Sequence, residues 1–515
     1  MDRTAMIAVA CVASMGCAGQ AQETPQTAPG AALAPEGAST DGPGAALEAF
    51  IERARAIDLA PGVAVAVVRA DEIAFLEGYG WADVVRRRPV TPQTPFYIAS
   101  STKSFTGTAA AILDAQDRLD LDGSLASYLP GLTLRAPLSA DSITLRDLLT
   151  HTHGLDNGGP IVVRTAYTGD HDPDLLLELL ANQPPGDQGR GFQYGNLGYN
   201  VASMAMDAAL GIGWKEVLAA ELFEPLGMTS TTAYMSRVDR RARALPYGWE
   251  PDGWEARPFA KDDANMHAAG GVVSTAADLS RWLIANLNEG RLDGRQAVPG
   301  AAIREAHRTL AENDDAWGPF TRDGYGLGWH IGTYDGSRQL HHFGGFPGFH
   351  THVSFLPDER LGAVVLVNDS DLGSVLATGI AAFAYDAYRG VADLAQREEE
   401  LLARMGDEGT RGRAAVRADR ERRAARPQEL PRPLEAYAGV FENPAFGRTV
   451  WEVRGGRLHA SLGLAESDVE VYDGAADQLR VEFTGGGTVV EFEFPGGAER
   501  ASALTMLRVR FERVE

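Results

Sequence analysis

The sequence predicts an α/β fold of the α+β type, in which helices flank an antiparallel sheet and a small C-terminal all-β, barrel-like domain follows. Apolar runs that favour hairpins lie near both ends of residues 45–390, at 63–79 and at 348–368. Helical periodicity dominates between them, so the two hairpins are expected to share one sheet around a helical subdomain. Short alternating runs with Gly-rich turns at 431–515 predict the small barrel.

Helix predictions within residues 45–390 rest on apolar spacing and capping residues. The pattern at 102–116 places Phe105, Ala109 and Ile112 on one buried stripe. Ser274 or Thr275 is suited to cap the helix that follows it. The remaining helices are predicted at 46–56, 144–149, 174–181 and 198–210.

Residues 391–430 differ in composition from the segments on either side. Acidic residues cluster at 398–400 and arginines at 411–426, with few apolar residues among them. The pattern predicts a charged helix or linker, most simply a solvated spacer. Residues 431–515 are then a separate accessory domain.

The N-terminus is typical of an export signal. Arg3 precedes an apolar run at residues 6–15 that is too short to span a bilayer. Gly-Gln-Ala at 19–21 resembles a cleavage site, so a signal peptide is predicted at 1–21.

Residues 14–17 partly resemble a lipobox, which leaves membrane tethering through a lipid on Cys17 open. The Ala-, Pro- and Gly-rich residues 22–44 predict a flexible leader. The expected location is the periplasm, either as a free protein or as a membrane-anchored lipoprotein.

Composition excludes several function classes. The 515-residue chain carries a formal net charge of −23, which argues against nucleic acid or an anionic membrane surface as a partner. Both cysteines, Cys11 and Cys17, lie in the predicted signal. The folded part is therefore expected to have no disulfide, no thiol nucleophile and no thiolate metal site.

Lysine is rare in this chain. Only three of the 47 Lys and Arg residues are lysines, namely Lys103, Lys215 and Lys261. Lys103 follows Ser100 by three residues at the start of a predicted helix, so the two side chains share a face. A desolvated lysine can lose its proton, whereas an arginine cannot. Ser-x-x-Lys therefore predicts an amine that accepts the proton of a nucleophilic serine.

Two further motifs follow Ser100 in chain order, Tyr194-Gly195-Asn196 and His342-Phe343-Gly344-Gly345. The separations are 94 residues from Ser100 to Tyr194 and 148 from Tyr194 to His342. With these motifs, residues 45–390 resemble the serine β-lactamase-like family, which includes class C β-lactamases, DD-peptidases, D-aminopeptidases and related esterases. The C-terminal domain is similar, more weakly, to a β-barrel domain of some peptidase members.

The resemblance and the chemistry of the side chains imply catalytic roles. Ser100 attacks a carbonyl carbon and forms an acyl-enzyme. Either Lys103 or Tyr194 is the base, and the resemblance leaves that choice open. Asn196 is expected to hold the substrate amide and to position Lys103.

The third motif is expected to bind substrate. The backbone N–H groups of Ser100 and Gly345 would form the oxyanion hole, and Gly344 with Gly345 would let the strand approach the substrate without a Cβ between them. No cofactor or metal is expected, because His350 and His352 have no Asp or Cys ligands beside them.

His342 stands where class C β-lactamases resemble Lys-Thr-Gly-Ser. Phe343 and Gly345 replace the hydroxyl groups of that motif, so efficient β-lactam hydrolysis is not expected. His-x-Gly is more similar to D-aminopeptidases. His342 is expected to contact substrate, either as a cation near neutral pH or as a hydrogen-bond donor.

The sequence therefore predicts an exported serine hydrolase that cleaves an amide or ester, with peptides containing D-residues as the favoured substrates. A carboxylesterase and a weak β-lactamase are the alternatives among enzymes. The alternative outside enzymes is a penicillin-binding sensor that is acylated without turnover. A small molecule or peptide is the expected partner, and the oligomeric state is not predicted.

Overall fold

The computed structural model describes residues 42–483 and 485–515. The predicted signal peptide, the lipobox ending at Cys17 and the leader up to residue 41 lie outside these residues. The first helix begins at Pro43, three residues earlier than predicted, because proline suits the first turn, where its missing N–H is not needed. No helix within the described ranges combines the length and apolarity needed to cross a bilayer.

The helices are α1 (Pro43–Arg55), α2 (Thr102–Ala115), α3 (Leu125–Tyr128), α4 (Leu145–Leu149), α5 (Pro160–Val163), α6 (Pro173–Ala181), α7 (Leu197–Leu210), α8 (Trp214–Leu218), α9 (Glu224–Leu226), α10 (Ala276–Leu287), α11 (Gly300–Ala306), α12 (Gly373–Arg389) and α13 (Leu394–Ala424). The strands of the first domain are β1 (Gly62–Arg69), β2 (Glu72–Asp83), β3 (Arg88–Pro89), β4 (Phe96–Tyr97), β5 (Tyr247–Glu250), β6 (Gly253–Ala256), β7 (Val273–Ser274), β8 (Arg291–Leu292), β9 (Arg295–Gln296), β10 (Ala311–Trp317), β11 (Phe320–Tyr325), β12 (His330–Tyr334), β13 (Ser337–Phe346), β14 (Phe349–Leu356) and β15 (Leu361–Val367). The strands of the C-terminal domain are β16 (Gly439–Asn443), β17 (Gly447–Arg454), β18 (Arg457–Leu462), β19 (Ala465–Asp468), β20 (Glu470–Asp473), β21 (Gln478–Val481), β22 (Thr488–Glu493), β23 (Ala503–Met506) and β24 (Val509–Arg513).

The main sheet has nine antiparallel strands in the order β10-β11-β12-β13-β14-β15-β1-β2-β3. Strand β1 pairs with β15, with Val63 opposite Val367, which confirms that the two terminal hairpins share one sheet. Ala64 and Ala66 of β1 face a core covered by α10, while Val63 and Val65 face a second core covered by α1 and α12. Because both faces are covered, the apolar run of β1 is continuous and does not alternate with polar residues.

Helix α2 lies inside the first core. Its residues from Thr102 to Leu113 are buried on every side, because the sheet, α7, α8 and α11 surround it. Phe105 stacks on Trp282 of α10 with 4.5 Å between the ring centroids. Burial therefore extends well beyond the single stripe that the periodicity predicts.

The charged segment forms the 31-residue helix α13. Leu401, Met405 and Gly409 are buried against the first domain. The guanidinium group of Arg53 on α1 donates at 2.7 Å to Glu398 and at 2.7 Å to Glu399. The interpretation of this segment as a solvated spacer is wrong, because the three small or apolar residues four apart give the helix one packed face.

The C-terminal domain is a nearly closed, barrel-like sheet of nine antiparallel strands in the order β19-β18-β17-β16-β24-β23-β22-β21-β20. Buried and exposed residues alternate along β17, so that Trp451 points inward. Trp451 packs with Phe441, Phe492 and Phe511 in a single core. The predicted all-β C-terminal domain is therefore confirmed.

Two of the contacts between the barrel and the first domain involve Arg164 and Gly485. The buried Arg164, which follows α5, donates from Nε to the Ala445 carbonyl oxygen at 2.8 Å and from Nη2 to that of Pro444 at 2.9 Å. Gly485 lies so close to Pro347 that a Cβ added there would come within 2.8 Å of Pro347 Cγ. Pro347 follows the third motif, so the barrel borders the region where the motifs converge.

Candidate active site

Ser100 lies in the 3₁₀ turn Ala99–Ser101, which leads directly into α2. Ala99 has a φ of 45°, a backbone conformation that residues other than glycine rarely adopt and that recurs at active sites. The turn and the helix place Lys103 on the same face as Ser100. The Lys103 Nζ lies 3.2 Å from the Ser100 Oγ.

Lys103 is fully buried and has two further polar contacts. Its Nζ donates to Asn196 Oδ1 at 2.8 Å and to the carbonyl oxygen of Ala269 at 2.9 Å. Burial lowers the pKa of Lys103 to about 7, because removal from water disfavours the charged form. A neutral amine has two N–H donors and one lone pair, and this site offers it two carbonyl acceptors and the Ser100 hydroxyl.

Tyr194 and Asn196 lie just before and at the start of α7. The Tyr194 side chain is 40% exposed, and its ring centroid lies 4.9 Å from the Lys103 Nζ. The structure thus brings the second motif to the Ser100–Lys103 pair, as predicted. The side chain of Asn196 accepts a hydrogen bond from the Lys103 amine. Of the two candidate bases, Lys103 contacts the Ser100 hydroxyl directly, and the Tyr194 ring lies beside the Lys103 amine.

His342 is buried in β13, and both of its ring nitrogens are engaged within the protein. Its Nδ1 lies 2.9 Å from the Phe343 carbonyl oxygen, and its Nε2 lies 3.2 Å from the Tyr325 hydroxyl. Burial and then the nearby Lys103 hold the pKa of His342 well below its ordinary value. The alternative of a cation near neutral pH is therefore wrong, because a low-dielectric site beside an amine disfavours imidazolium. Direct contact with substrate stays a prediction.

The two glycines of the third motif have different surroundings. A Cβ added to Gly344 would lie 2.0 Å from the carbonyl oxygen of Ile98, whereas one added to Gly345 would meet nothing within 4 Å. The space that Gly344 leaves is taken by the nucleophile turn and not, as predicted, by substrate. Gly345 is exposed, and its predicted place in the oxyanion hole agrees with the open space beside it.

Two residues that the motifs do not include hold β13 and β14 against the nucleophile turn. The Ser101 hydroxyl donates to the His342 carbonyl oxygen at 3.0 Å and lies 2.8 Å from the Thr351 hydroxyl. Thr351 in turn donates to the Ile98 carbonyl oxygen at 3.1 Å. Only the position of Ser101 directly after the nucleophile could have signalled this contact in the sequence.

His151 also belongs to the site, although the sequence gives it no role there. Its backbone φ is 62°, and its buried ring lies 4.8 Å from Tyr194 and 4.8 Å from Tyr325 between centroids. Burial and the neighbouring Lys103 keep the pKa of His151 well below its ordinary value. A neutral imidazole therefore packs behind the Tyr194 ring.

A family model described as Beta-lactamase matches residues 47–385 of the chain. The chain belongs to the beta-lactamase family. This family places it among the β-lactamase-like serine hydrolases, and the three motifs that the fold brings together are the ones that carried the resemblance. Within the described residues, no three His, Cys, Asp or Glu side chains are grouped to hold a metal ion.

Two curated proteins with different names are similar to the chain over most of its length. The chain is 26% identical over 431 residues to "Unguisins hydrolase ungD'" of Aspergillus campestris, a match that covers 78% of this chain and 76% of that protein. It is 23% identical over 312 residues to "Protein flp" of Staphylococcus aureus, a match that covers 60% of this chain and 59% of that protein.

Two solved structures share the fold. An octameric penicillin-binding protein homologue from Pyrococcus abyssi is similar with a TM-score of 0.58 and 21% identity, over 91% of this chain and 99% of that chain. A class C beta-lactamase is similar with a TM-score of 0.55 and 21% identity, over 67% of this chain and 96% of that chain. At 21% identity, this structural similarity establishes that the chain shares the fold of these two proteins.

Proposed function

We propose that the protein is an exported serine hydrolase that cleaves an amide or ester through an acyl-enzyme on Ser100. The observation that carries this proposal is the buried Lys103, whose Nζ lies 3.2 Å from the Ser100 Oγ and donates to two carbonyl oxygens. Those two acceptors use the N–H groups of a neutral amine, which leaves its lone pair for the serine proton. A general base in contact with a nucleophile is the arrangement that acyl transfer requires.

The proposed reaction begins with transfer of the Ser100 proton to a base while Oγ attacks the carbonyl carbon. The backbone N–H groups of Ser100 and Gly345 then receive the oxyanion. When the tetrahedral intermediate collapses, the bond to the leaving group breaks and the base returns the proton to it. Water, activated by Lys103 or Tyr194, hydrolyses the ester on Ser100 and restores the free hydroxyl.

Lys103 is the base that the geometry favours for acylation. Its amine contacts the nucleophile directly, and its pKa of about 7 suits proton exchange near neutral pH. The Tyr194 ring lies over the same amine, so Tyr194 is the alternative and is well placed to assist with water in the second half of the reaction.

Peptides that contain D-residues are the substrates we propose. The third motif supports this choice, because it offers no hydroxyl for a β-lactam carboxylate: Phe343 is buried and stacks on His352 at 4.3 Å, and Gly345 has no side chain. The C-terminal barrel, which borders Pro347, also favours a peptidase, because it is similar to a β-barrel domain of some peptidase members of the family. A carboxylesterase or a weak β-lactamase is the second candidate. The relative named for unguisins adds that compound class to those worth testing.

A sensor that is acylated without turnover is the alternative outside enzymes. It would use the same Ser100–Lys103 pair and differ only in the fate of the ester. Export, and a lipid tether on Cys17, belong to the proposal on the strength of the N-terminal sequence alone.

Intact-mass spectrometry of the mature protein tests the proposal. The probes are a fluorophosphonate, a penicillin, a short-chain ester and a D-alanyl peptide, with Ser100→Ala as the matched control. We expect a fluorophosphonate adduct that is absent from Ser100→Ala, and turnover of the D-alanyl peptide without a lasting adduct.

Other outcomes of this experiment are equally informative. Lasting adducts with every substrate and no turnover would favour the sensor. Turnover of the ester alone would favour the carboxylesterase. Absence of any adduct, or an adduct that survives Ser100→Ala, would overturn the acyl-enzyme mechanism.

A further inference from the structure

A second lysine, Lys261, is buried beside the catalytic centre and has no part in the mechanism above. Its Nζ donates to the carbonyl oxygens of Ala166 at 2.5 Å and Asn265 at 3.4 Å. Burial lowers the pKa of Lys261 to about 7. Buried lysines are usually paired with a carboxylate. Among the described residues, however, Lys261 forms no salt bridge, and Asp262, which follows it in sequence, favours its charged form only electrostatically.

Aromatic rings surround Lys261 on the side of the third motif. The centroids of Phe346, Tyr97 and Tyr167 lie 5.0, 5.6 and 5.7 Å from its Nζ. Phe346 directly follows Gly345, and Tyr97 precedes Ser100 by three residues. The amine is therefore held against the two backbone segments that carry the nucleophile and the predicted oxyanion hole.

Arg243 contacts the same aromatic group through Phe259. Its Cζ is 4.5 Å from the Phe259 ring centroid, and the Phe259 ring lies 6.0 Å from Phe346 and 5.5 Å from Tyr97. The Nε of Arg243 is buried and has no hydrogen-bond partner among the residues described. An unpaired guanidinium N–H in a half-buried position is an incomplete site for an acceptor.

We propose that Arg243 and Lys261 form a subsite for a carboxylate group of the substrate, above the aromatic group of Tyr97, Phe259 and Phe346. The planar guanidinium of Arg243 would pair directly with the carboxylate. Lys261, which is more deeply buried, would supply a second positive charge from below the rings. The subsite deepens the proposed hydrolase function and rests on it, because it names a group on the same substrate.

Charge distribution supports an anionic ligand here. The chain carries a net charge of −23, so two cations that form no salt bridge among the described residues run against the general trend of the molecule, although Asp262 acts on Lys261 at longer range. An anion bound next to Arg243 and Lys261 would favour the charged form of Lys261 and so offset the cost of its burial. A neutral ligand would not do so.

A purely structural role for Lys261 predicts different behaviour. In that case the amine only ties the carbonyl oxygens of Ala166 and Asn265 together. Loss of the amine would then lower activity toward every substrate alike, and Arg243 would have no effect on the choice of substrate.

The test compares Lys261→Met and Arg243→Met with Arg241→Met, which removes an exposed positive charge two residues from Arg243. Two substrate pairs are used, each differing only by a carboxylate in place of a carboxamide. One pair consists of the p-nitrophenyl esters of adipic and adipamic acid, and the other of D-alanyl peptides with a free or an amidated C-terminus. Protection of Ser100 from a fluorophosphonate by adipate and by adipamide gives a readout that needs no turnover.

We expect the wild type to favour the carboxylate member of at least one pair, and Lys261→Met and Arg243→Met each to lose about 30-fold in kcat/KM for that member. The carboxamide member and the Arg241→Met variant should change little. Equal losses for both members, or no carboxylate preference in the wild type by turnover or protection, would overturn the subsite. If Lys261→Met does not fold, Arg243→Met decides the result.

Fluorophosphonate labelling of Ser100 separates this proposal from the one on which it rests. Labelling of the wild type without any carboxylate preference would overturn only the subsite. A wild type that resists labelling would overturn the hydrolase function itself.

Discussion

The main sheet and the barrel each have nine antiparallel strands, but they bury different numbers of faces. Strand β15 is buried along its whole length, whereas residues of β17 alternate between core and surface. A sheet buried on both faces needs helices on both sides, and one of the elements packed there is α2, which carries Ser100 and Lys103. The barrel fills its own interior, and its loop residue Gly485 lies against Pro347 at the border of the site. The main sheet and its helices therefore position the proposed catalytic groups, and the barrel supplies part of the border of the site.

Ser100→Ala should have the largest effect. Removal of a nucleophilic hydroxyl typically costs about 10⁴-fold or more in kcat, while the loss of one hydroxyl group should leave the midpoint of thermal unfolding nearly unchanged. Fluorophosphonate labelling and calorimetry on the same preparation check both parts. Residual activity near that of the wild type would show that Ser100 is not the nucleophile.

The rate of acylation should rise with pH through about 7 and then level off. Only the neutral amine of Lys103 can accept the serine proton, and burial places the pKa of Lys103 at about 7, so the active form is depleted below that pH. Lys103→Arg fixes the positive charge and should lower the rate about 10²- to 10⁴-fold. The pH dependence of labelling in both proteins is the measurement, and an active Lys103→Arg enzyme would point to Tyr194 as the base.

Trp451→Ala and Trp282→Ala form a matched pair, one in each core. Both tryptophans are fully buried, and each truncation should cost about 3–5 kcal/mol of unfolding free energy in its own core. Trp282 packs on Phe105 of α2, so its loss should slow labelling of Ser100, whereas Trp451→Ala should not. Equal slowing by both variants would show that the barrel core also supports the catalytic geometry.

Arg164→Met should have the smallest effect. It removes two hydrogen bonds that join the first domain to the barrel. The free energy of unfolding should fall by about 1–3 kcal/mol. With the barrel held less firmly, bulky acyl groups should gain relative to small ones, while the rate with a short-chain ester stays constant. Unchanged selectivity across a series of acyl lengths would mean that the barrel does not limit the cleft.

Site residues that lie close together in the sequence can be predicted from the sequence without a resemblance to a known family. Ser100 and Lys103 are one helical turn apart, so their contact needed only the helix prediction. Tyr194 and His342 required the resemblance, because nothing local says that a loop and a distant strand meet at that turn. The paired terminal hairpins were predicted from their apolar runs, and the pairing of Val63 with Val367 bears this out.

Other features of the site depend on tertiary packing, which the spacing of residues along the sequence does not show. Gly344 resembles a substrate-contacting glycine in sequence, yet its neighbour is the Ile98 carbonyl oxygen from a segment about 250 residues away. The surroundings of Lys261 come from separate parts of the chain and could not be assembled from spacing. The packed face of α13, however, could have been predicted from the sequence, since Leu401, Met405 and Gly409 recur at intervals of four residues.

Helix α13 connects the two domains as one continuous helix and not as a flexible linker. Its 31 residues span about 46 Å at 1.5 Å per residue. Arg420 near its end donates to Glu250 at 2.7 Å, and Arg423 donates to Glu470 of the barrel at 2.8 Å. Adding or deleting one residue would turn everything beyond it by about 100°, which would swing the barrel away from Arg164. Helix α13 is therefore expected to tolerate substitutions far better than insertions or deletions, which change its length.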